Sequence, residues 1–329
     1  MEYYRVVDDE KIICMLCKHH CKIKEGKVGR CGVNKNENNQ LKNLVYGHPA
    51  SIAIDPIEKK PIFHMLPASK ALSFGTVGCN FRCPFCQNWQ LSQEHEINVD
   101  QYISPERMVM LALKHGCTSI AYTYNEPTIF YPYARDIAVI AKEKGVKNIY
   151  VSNGFESNEM IEDMKDLMDA VNIDLKSFDD DYYRKVLKGG LDEILEGMKL
   201  FKKHGIWIEI TTLIVPGDND SDKELGQIAN FIAKELDIYT PWHITAFHPD
   251  YKLLDRDMTS METLDRAMQI GKDAGLKYIY KGNVIGHEDT LCPSCNQLLI
   301  RRDGFGVSMN KLKEGKCPSC GYEVQGVWE

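Results

Sequence analysis

The chain has 329 residues, of which 43% are hydrophobic and 26% are charged, values that are ordinary for a folded globular protein and exclude a disordered chain. Its formal net charge of -7 argues against nucleic acid as the main partner, because phosphate binding needs a concentrated basic face. No apolar run approaches the roughly 18 residues of a membrane span, and the acidic start MEYYRVVDDE differs from a secretion signal, so we expect a cytoplasmic protein without a membrane partner.

The 12 cysteines fall into three sets and one single residue, Cys117. The sets are Cys14, Cys17, Cys21 and Cys31; Cys79, Cys83 and Cys86; and Cys292, Cys295, Cys317 and Cys320. Close spacing of this kind in a reducing compartment is typical of metal ligation rather than of disulfides. The sequence therefore predicts three metal sites.

Residues 1–48 form the first cysteine-bearing module, with the stretch CMLCKHHCKIKEGKVGRC. Its four cysteines can hold zinc or an auxiliary iron-sulfur cluster, and His19 or His20 can replace a thiolate. A module this short has a small hydrophobic core and needs additional stabilisation, so zinc is slightly favoured. The sequence nevertheless leaves both metals open. Residues 49–70 are interrupted by prolines and are predicted to be a linker, whose Lys59, Lys60 and His64 either reach the site or pack beneath the next domain.

From residue 71 to residue 286, short apolar runs alternate with longer helical ones. Strands are predicted in ALSFGTV, TSIAYTY, KNIYVS, AVNIDLK, IWIEITTLIV, PWHITAF and YIYKGNV. They are nearly continuous in apolar residues, as buried parallel strands are. The helix after the second strand has an apolar face made of Phe130, Tyr133, Ala134, Ile137, Ala138 and Ala141. We predict an α/β fold, a partial or near-complete (β/α) TIM-type barrel, with a doubly wound open sheet as the alternative.

In barrels of this kind, active sites lie at the carboxyl ends of the strands. Polar residues occur at those ends here: Tyr124, Asn125, Glu126, Ser152, Asn153, Asp174, Lys176 and His248. We therefore expect the chemistry at this rim of the barrel. The sequence leaves open whether His243, within the sixth strand, faces the barrel interior and belongs to the site.

The loop after the first strand reads GCNFRCPFCQNWQ and holds three cysteines at CxxxCxxC spacing. Thiolates are soft donors suited to iron-sulfur clusters. Three of them can hold a [4Fe-4S] cubane and leave one iron without a protein ligand. An open iron implies a ligand that comes from outside the chain.

This loop, with Phe85 directly before the third cysteine, resembles the signature of radical S-adenosylmethionine (SAM) enzymes. The resemblance implies that SAM chelates the open iron and is reductively cleaved to a 5'-deoxyadenosyl radical that abstracts hydrogen from a substrate. It also implies a low-potential electron donor of the flavodoxin or ferredoxin type.

Further stretches resemble the pyruvate formate-lyase activating enzyme branch: YNEP, SNG, DLK and AFHP. The resemblance assigns SAM binding to the matching residues Asn125, Glu126, Ser152, Asn153, Asp174, Lys176 and His248. Glu126 would bind the amino group and Lys176 the carboxylate, both through charge-assisted hydrogen bonds. One departure is that Tyr124 and Asn125 stand where that branch usually has two glycines, which puts the backbone approach to SAM in doubt.

Over nearly its whole length the chain resembles the AmmeMemoRadiSam system radical SAM enzymes. The stretches that carry this resemblance are CMLCKHHC with GRCGV, DPIEKKPIFH, GCNFRCPFCQNWQLSQ, YTYNEPTIFY and WHITAFHPDYK. A glycyl-radical protein or a Memo- or AMMECR-type protein is then a candidate partner. The substrate, a protein glycine or a small molecule, stays open.

Residues 287–329 contain CPSC at 292–295 and CPSCG at 317–321. Two such knuckles can close a tetrahedral shell, which predicts a structural zinc ribbon, with iron or a cluster as the alternative. Two other function classes fit the sequence less well than a radical enzyme. An electron carrier normally closes its cluster with four protein ligands, and a nucleic-acid-binding ribbon conflicts with the acidic balance.

Overall fold

The structure is a computed structural model that describes residues 3–93 and 96–329, and it begins with two small antiparallel sheets. The first contains β1 (Tyr4–Asp8), β2 (Lys11–Cys14) and β3 (Lys22–Lys24), and the second contains β4 (Asn34–Glu37) and β5 (Gln40–Asn43). Cys17 forms an isolated antiparallel bridge with Glu156, which belongs to the central domain. The N-terminal cysteines are therefore packed against the rest of the protein.

An eight-stranded sheet forms the centre of the molecule. Its strands are β6 (Ser51–Pro56), β7 (Lys70–Gly75), β8 (Ser119–Tyr122), β9 (Lys147–Ser152), β10 (Ala170–Asp174), β11 (Trp207–Ile214), β12 (Trp242–Ala246) and β13 (Ile279–Gly282). The seven strands predicted from apolar runs correspond to β7 to β13. The additional strand, β6, lies within the segment predicted to be a linker and pairs antiparallel with β7.

The order of the strands decides between the two predicted architectures. β6 to β13 follow one another across the sheet in chain order, and β7 to β13 are all parallel. A doubly wound sheet would change direction at a switch point, whereas this sheet winds one way only. β6 and β13 are its two edges, so the predicted partial barrel is confirmed.

Helices connect the parallel strands. They are α1 (Trp89–Ser92), α2 (Pro105–Lys114), α3 (Tyr131–Glu143), α4 (Asn158–Met164), α5 (Asp180–Tyr182), α6 (Leu191–Lys203), α7 (Asp222–Phe231) and α8 (Met261–Asp273). Short 3₁₀ turns occur at Ile57–Lys59 and Pro127–Phe130, and π-helical turns at Tyr183–Leu187 and Ile232–Leu236 continue α5 and α7. No helix among residues 3–93 and 96–329 is both long and apolar enough to cross a lipid bilayer.

Local sequence explains where several helices begin. A serine directly before the helix accepts a hydrogen bond from a backbone N–H of the first turn, which satisfies a donor that would otherwise lack a partner. The serines that do this are Ser104, Ser157, Ser221 and Ser260. The six apolar residues predicted to share one face of α3 or its preceding turn are all fully buried, so that face packs on the sheet as expected.

The C-terminal module packs against β13 and against the segment between β6 and β7. It contains β14 (His287–Leu291), β15 (Leu298–Asp303) and β16 (Gly306–Asn310) in one antiparallel sheet. Leu66 donates its backbone N–H to the carbonyl of Val327, and Val327 donates to the carbonyl of His64. The end of the chain therefore forms a short β-type pairing with the segment between β6 and β7.

Candidate active site in the barrel interior

A cavity of about 460 Å³ lies inside the barrel, lined by residues from or just after each of the seven parallel strands. The three cysteines of the first loop line it, and so do six of the seven residues predicted to bind SAM. These residues are Cys79, Cys83, Cys86, Asn125, Glu126, Ser152, Asn153, Asp174 and Lys176. The carboxyl ends of the strands thus bring together side chains that are up to 97 positions apart.

The three cysteines of the first loop point into a shielded part of this cavity. Cys79 and Cys83 are buried and Cys86 is half-buried. Their sulfurs do not all lie within 4.8 Å of one another, whereas the four C-terminal sulfurs do. A single tetrahedral zinc would hold thiolates about 3.8 Å apart, given metal–sulfur bonds of about 2.3 Å. The wider spacing and the soft donors fit a multi-iron cluster.

Arg82 fixes the backbone of the cysteine loop. Its guanidinium donates to the carbonyls of Cys79 at 2.7 Å and Phe81 at 2.8 Å, and also to the carbonyl of Arg30 at 2.6 Å. A guanidinium offers five donors in a rigid plane, so one side chain can hold several carbonyls at once. The loop is therefore positioned before any cluster binds.

Asn125 and Gly78 shape the turn that leads into the loop. The Asn125 side chain donates to the carbonyl of Gly78 at 2.9 Å and accepts from the backbone N–H of Thr76 at 3.2 Å. Gly78 has a φ of +92°, and a Cβ there would lie 2.6 Å from the carbonyl oxygen of Cys31. Only glycine fits this position. Asn125 thus lines the cavity and also holds the turn before Cys79.

Tyr124 adopts a backbone conformation that is unusual for a residue other than glycine. Its φ is +73°, in the left-handed region that glycine favours and that costs a residue with a side chain about 1 kcal/mol or more. Its hydroxyl donates to Asp55 at 2.7 Å, and the Lys60 ammonium lies 4.4 Å from its ring centre. Tyr124 therefore adopts a left-handed backbone, and its side chain is anchored by these two partners.

Glu126 is the centre of a buried hydrogen-bonded cluster. One carboxylate oxygen accepts from the Thr128 backbone N–H at 3.0 Å and from the Ser152 hydroxyl at 2.9 Å. The other accepts from the Asn153 backbone N–H at 2.8 Å. Burial raises the pKa of Glu126, while these donors act in the opposite direction. The second oxygen retains capacity for one more donor, so the group fits the amino group of SAM.

Glu156 is a second buried carboxylate that the sequence analysis did not single out. The Ser152 hydroxyl contacts both Glu126 and Glu156, yet a hydroxyl has only one proton to donate. Burial, together with the charge of Glu126, raises the pKa of Glu156 to about 7. The two buried carboxylates lie against the same hydroxyl, so the negative charge of one disfavours ionisation of the other. The signal was available in SNGFES, where this glutamate follows Ser152 by four residues.

Lys176 and Asp174 form an ion pair at the end of β10. The Lys176 ammonium lies 2.8 Å from the carboxylate of Asp174. Burial opposes the charge of Lys176, but Asp174 and the nearby Cys83 raise its pKa. The Lys176 backbone is fixed by the Tyr183 hydroxyl and the Asn219 side-chain amide. A cation is therefore held next to the cysteine loop.

His248 lies at the outer edge of the cysteine loop. It is half exposed, and its Nδ1 is 3.1 Å from the side-chain amide of Gln87, the residue after Cys86. It is not among the residues that line the cavity. Of the seven residues predicted to bind SAM, His248 is therefore the one that lies beside the cavity rather than in it.

Lys59 and Lys60 line the cavity from the side where β7 begins. The carboxylate of Asp55 lies 2.6 Å from the Lys60 ammonium and 3.0 Å from the Lys59 ammonium. Lys60 is only 2% exposed, and this burial lowers its pKa to about 8 despite the nearby carboxylate. The question that the sequence left open for these lysines is answered, because both reach the barrel interior.

His64 and His243 belong to a different cluster, which does not line the cavity. His243 lies 2.6 Å from the carboxylate of Glu209, which also accepts the backbone N–H of His64 at 2.8 Å. The His64 ring contacts the hydroxyl of Tyr280 at 2.7 Å. Both histidines are therefore used in packing the amino ends of the strands against the C-terminal module.

The C-terminal cysteines form a compact set. The Cys292 and Cys320 sulfurs are 3.6 Å apart, and the Cys295 and Cys317 sulfurs are 3.7 Å apart. All four sulfurs lie within 4.8 Å of one another. This spacing matches a single tetrahedral metal ion. The four N-terminal cysteines, in contrast, line a separate small cavity.

Comparisons with known proteins identify relatives of this chain. Residues 74–232 match the model of the radical SAM superfamily. The chain is 43% identical over 330 residues to an uncharacterized protein of Methanocaldococcus jannaschii, an alignment that covers 99% of this chain and 98% of that protein. It is 26% identical over 250 residues to a GTP 3',8-cyclase of Helicobacter pylori, covering 70% of this chain and 76% of the cyclase.

More distant relatives include enzymes with a different named activity. The chain is 24% identical over 200 residues to the pyruvate formate-lyase-activating enzyme of Clostridium pasteurianum, covering 57% of this chain and 82% of that enzyme. Its fold is similar to the crystal structure of a radical SAM methyltransferase from Sphaerobacter thermophilus, with a TM-score of 0.53 at 16% identity and 71% of each chain covered. Given the matched domain, the full-length relative and the cysteine loop in the barrel cavity, the chain belongs to the radical SAM superfamily.

Proposed function

We propose that the protein is an enzyme that binds SAM in the barrel cavity and generates a radical that abstracts hydrogen from a substrate. In this proposal Cys79, Cys83 and Cys86 hold a [4Fe-4S] cluster whose fourth iron binds SAM. The cluster would supply one electron that breaks the bond between sulfur and C5' of SAM, giving methionine and a 5'-deoxyadenosyl radical. The residues that line the cavity fit this group, because thiolates, a carboxylate and a cation face the same space.

One observation carries the proposal: the cysteine loop and six of the seven predicted SAM-binding residues line one cavity. The roles follow from charge. Glu126 accepts a hydrogen bond from the amino group of SAM, and Lys176 binds its carboxylate. Ser152, Asn153 and Asp174 are placed to contact the remaining polar groups, with His248 at the rim. The electron comes from a donor protein of the flavodoxin or ferredoxin type.

Two substrate classes are consistent with the relatives. The pyruvate formate-lyase-activating enzyme of Clostridium pasteurianum points to a protein partner, and the GTP 3',8-cyclase of Helicobacter pylori points to a small molecule. The interior favours the small molecule, because Lys60, Asn172 and Thr211 extend the cavity beyond the SAM-binding rim with polar groups. With either substrate class, a Memo- or AMMECR-type partner protein would have to bind at the mouth of the barrel.

For residues 287–329 we propose a structural zinc ribbon. The support is the spacing of the four sulfurs, two pairs of which are 3.6 and 3.7 Å apart. Four thiolates leave no position for substrate, so the metal would stabilise the fold rather than take part in the reaction.

The test of the enzyme proposal is anaerobic reconstitution with iron and sulfide, followed by addition of dithionite and SAM. The expected product is 5'-deoxyadenosine together with methionine. A protein with a fully loaded cluster that forms no 5'-deoxyadenosine would instead be an iron-sulfur electron carrier, which is the alternative from another class.

A Lys60→Gln variant separates the two substrate classes. If the substrate is a small molecule that reaches Lys60, the variant still cleaves SAM without substrate but turns over the substrate less well. A glycyl-radical partner, which would be approached from the mouth, predicts no difference between Lys60→Gln and the unchanged protein in either measurement.

A further inference from the structure

The four N-terminal cysteines line a cavity between the N-terminal module and the loop that contains Cys79. The cysteines are Cys14, Cys17, Cys21 and Cys31, and the barrel contributes Asn80, Thr128 and Ile129 to the lining. Cys14, Cys17 and Cys31 are less than one-tenth exposed, and Cys21 is half-buried. The fold therefore brings four thiols to one shielded place, and none of them forms a disulfide.

The spacing of these sulfurs differs from that of the C-terminal set. No three of the four N-terminal sulfurs lie within 4.8 Å of one another, whereas all four C-terminal sulfurs do. Thiolates that share one zinc ion are held about 3.8 Å apart. A cubane cluster places each thiolate on a separate iron, so its ligands stand farther apart. In this respect the N-terminal set and the Cys79 loop both differ from the C-terminal set.

The other groups around the cavity add no further metal ligand to the four thiolates. The residues that line the cavity include no aspartate or glutamate. His19 lines it, but one ring nitrogen contacts the carbonyl of Asn80 at 3.1 Å and the other contacts Arg30 at 3.4 Å. The Asn34 side-chain amide donates to the sulfur of Cys31 at 3.4 Å, a contact that stabilises a thiolate. The cavity therefore offers four soft ligands and one hydrogen bond to a ligand sulfur.

The cavity adjoins the candidate SAM site. The carbonyl oxygen of Cys31 packs against Gly78, the residue before Cys79, so closely that a Cβ on Gly78 would lie 2.6 Å from it. Asn80, the residue after Cys79, lines the N-terminal cavity and accepts a hydrogen bond from Asn153 of the SAM site. Both neighbours of Cys79 in the chain thus contact the N-terminal cavity or its ligands.

We propose that Cys14, Cys17, Cys21 and Cys31 hold a second [4Fe-4S] cluster, with one thiolate on each iron. This reverses the slight preference for zinc that the length of the module suggested. With no iron open to a substrate, the cluster transfers single electrons: it takes one electron from a ferredoxin- or flavodoxin-type protein and passes one electron to the cluster at the Cys79 loop. The electron-transfer role rests on the proposed function, but the binding of the cluster does not.

The experiment compares the metal content of the full-length protein and two variants, all reconstituted anaerobically with iron and sulfide and freed of unbound metal. The unchanged protein is expected to contain about eight irons and eight sulfides per chain. The triple variant Cys79→Ala, Cys83→Ala, Cys86→Ala is expected to keep about four irons in a cluster whose electron paramagnetic resonance (EPR) spectrum does not change with SAM. The variant Cys17→Ser, Cys21→Ser is expected to keep about four irons in a cluster that does respond to SAM.

Two outcomes would overturn the proposal. One is about four irons in the unchanged protein, all lost in the triple variant, with two zinc ions per chain instead of one. The other is a Cys17→Ser, Cys21→Ser variant with unchanged iron content. In both outcomes the enzyme proposal survives if 5'-deoxyadenosine forms. Conversely, four irons retained in the triple variant, without any 5'-deoxyadenosine from the unchanged protein, would leave the second cluster in place and refute the enzyme proposal.

Discussion

The two ends of the barrel contain buried carboxylates whose pKa values are shifted in opposite directions. At the carboxyl ends of the strands, burial and the charge of Glu126 raise the pKa of Glu156 to about 7. At the amino ends, burial opposes the charge of Glu209, but His243 and the backbone N–H groups of Phe63 and His64 lower its pKa overall. Glu156 and Glu209 are both fully buried, but only Glu209 has hydrogen-bond donors for both of its carboxylate oxygens.

The difference indicates which end is free to bind a ligand. Glu209 accepts from two backbone N–H groups, the Trp207 indole and His243, so no capacity is left for another partner. Glu126 lines the cavity and has room for one more donor. In barrels of this type the carboxyl ends carry the chemistry and the amino ends carry stability. The two clusters in this protein follow that division, which the following variants test.

The largest effect is expected for Cys83→Ala at the carboxyl ends. Removing one of three thiolates leaves a cubane without enough ligands, so the SAM-responsive cluster and all 5'-deoxyadenosine formation should be lost. Zinc content should stay unchanged, because the C-terminal cysteines are untouched. The matched control is Cys117→Ala, which also removes a buried thiol but lies outside the cavity. Retained SAM cleavage in Cys83→Ala would refute the ligand assignment.

The second effect concerns the amino ends, where Glu209→Gln should destabilise the fold without altering the chemistry. The variant gives His243 and several N–H donors a neutral acceptor in place of a charged one, and a hydrogen bond to a charged group is worth about 1.5–3 kcal/mol. The thermal unfolding midpoint under argon should fall by more than about 5 °C. The exposed Glu235→Gln serves as the control and should change little. Loss of SAM cleavage by Glu209→Gln below its unfolding temperature would instead make Glu209 part of the site.

Much of this division was visible in the sequence. The seven parallel strands followed from apolar runs, and the polar residues after them followed from the rule that carboxyl ends meet at one edge. Six of the seven residues assigned to SAM therefore line the cavity with the cysteine loop. The position of these residues at one edge could be predicted because it depends on one local pattern and on the direction of the chain.

The features that the sequence did not predict depend on contacts between distant segments. The pair Glu209 and His243 forms because β11 and β12 adopt one particular register, and no local pattern encodes that register. Lys60 enters the interior because β6 runs antiparallel at the edge of the sheet, in a segment whose prolines suggested a linker. Tertiary packing decided both, so single-segment patterns could not reveal them.

A smaller effect is expected for Glu126→Gln, which keeps the shape of the side chain and removes its charge. The substitution weakens one charge-assisted hydrogen bond to the amino group of SAM, worth about 1.5–3 kcal/mol. SAM should therefore bind about 10- to 100-fold more weakly, as measured by the change in the EPR spectrum of the reduced protein during titration. Iron content should not change. An unchanged affinity would remove Glu126 from the SAM site and weaken the contrast with Glu209.

The smallest effect concerns the pH dependence of stability. The pKa of Glu156 is raised to about 7 in the folded protein, so the folded state keeps this proton between about pH 4.5 and 7 while the unfolded chain releases it. The contribution of Glu156 to stability is therefore full below about pH 4.5, decreases as the pH rises to 7 and is lost above it. Between pH 6 and pH 8, the unfolding midpoint of the Glu156→Gln variant should therefore fall less than that of the unchanged protein.

Glu288 provides the matched comparison for this last prediction. Burial also raises its pKa to about 7, but it lies in β14, outside the barrel cavity. Because the two sites do not share partners, the single variants Glu156→Gln and Glu288→Gln should each flatten the pH dependence, and the double variant should show the sum of both effects. If Glu288→Gln alone accounted for the whole decrease, Glu156 would be ionised like an ordinary glutamate. The carboxyl ends of the barrel would then hold two full negative charges, and the contrast with the amino ends would be one of hydrogen bonding alone.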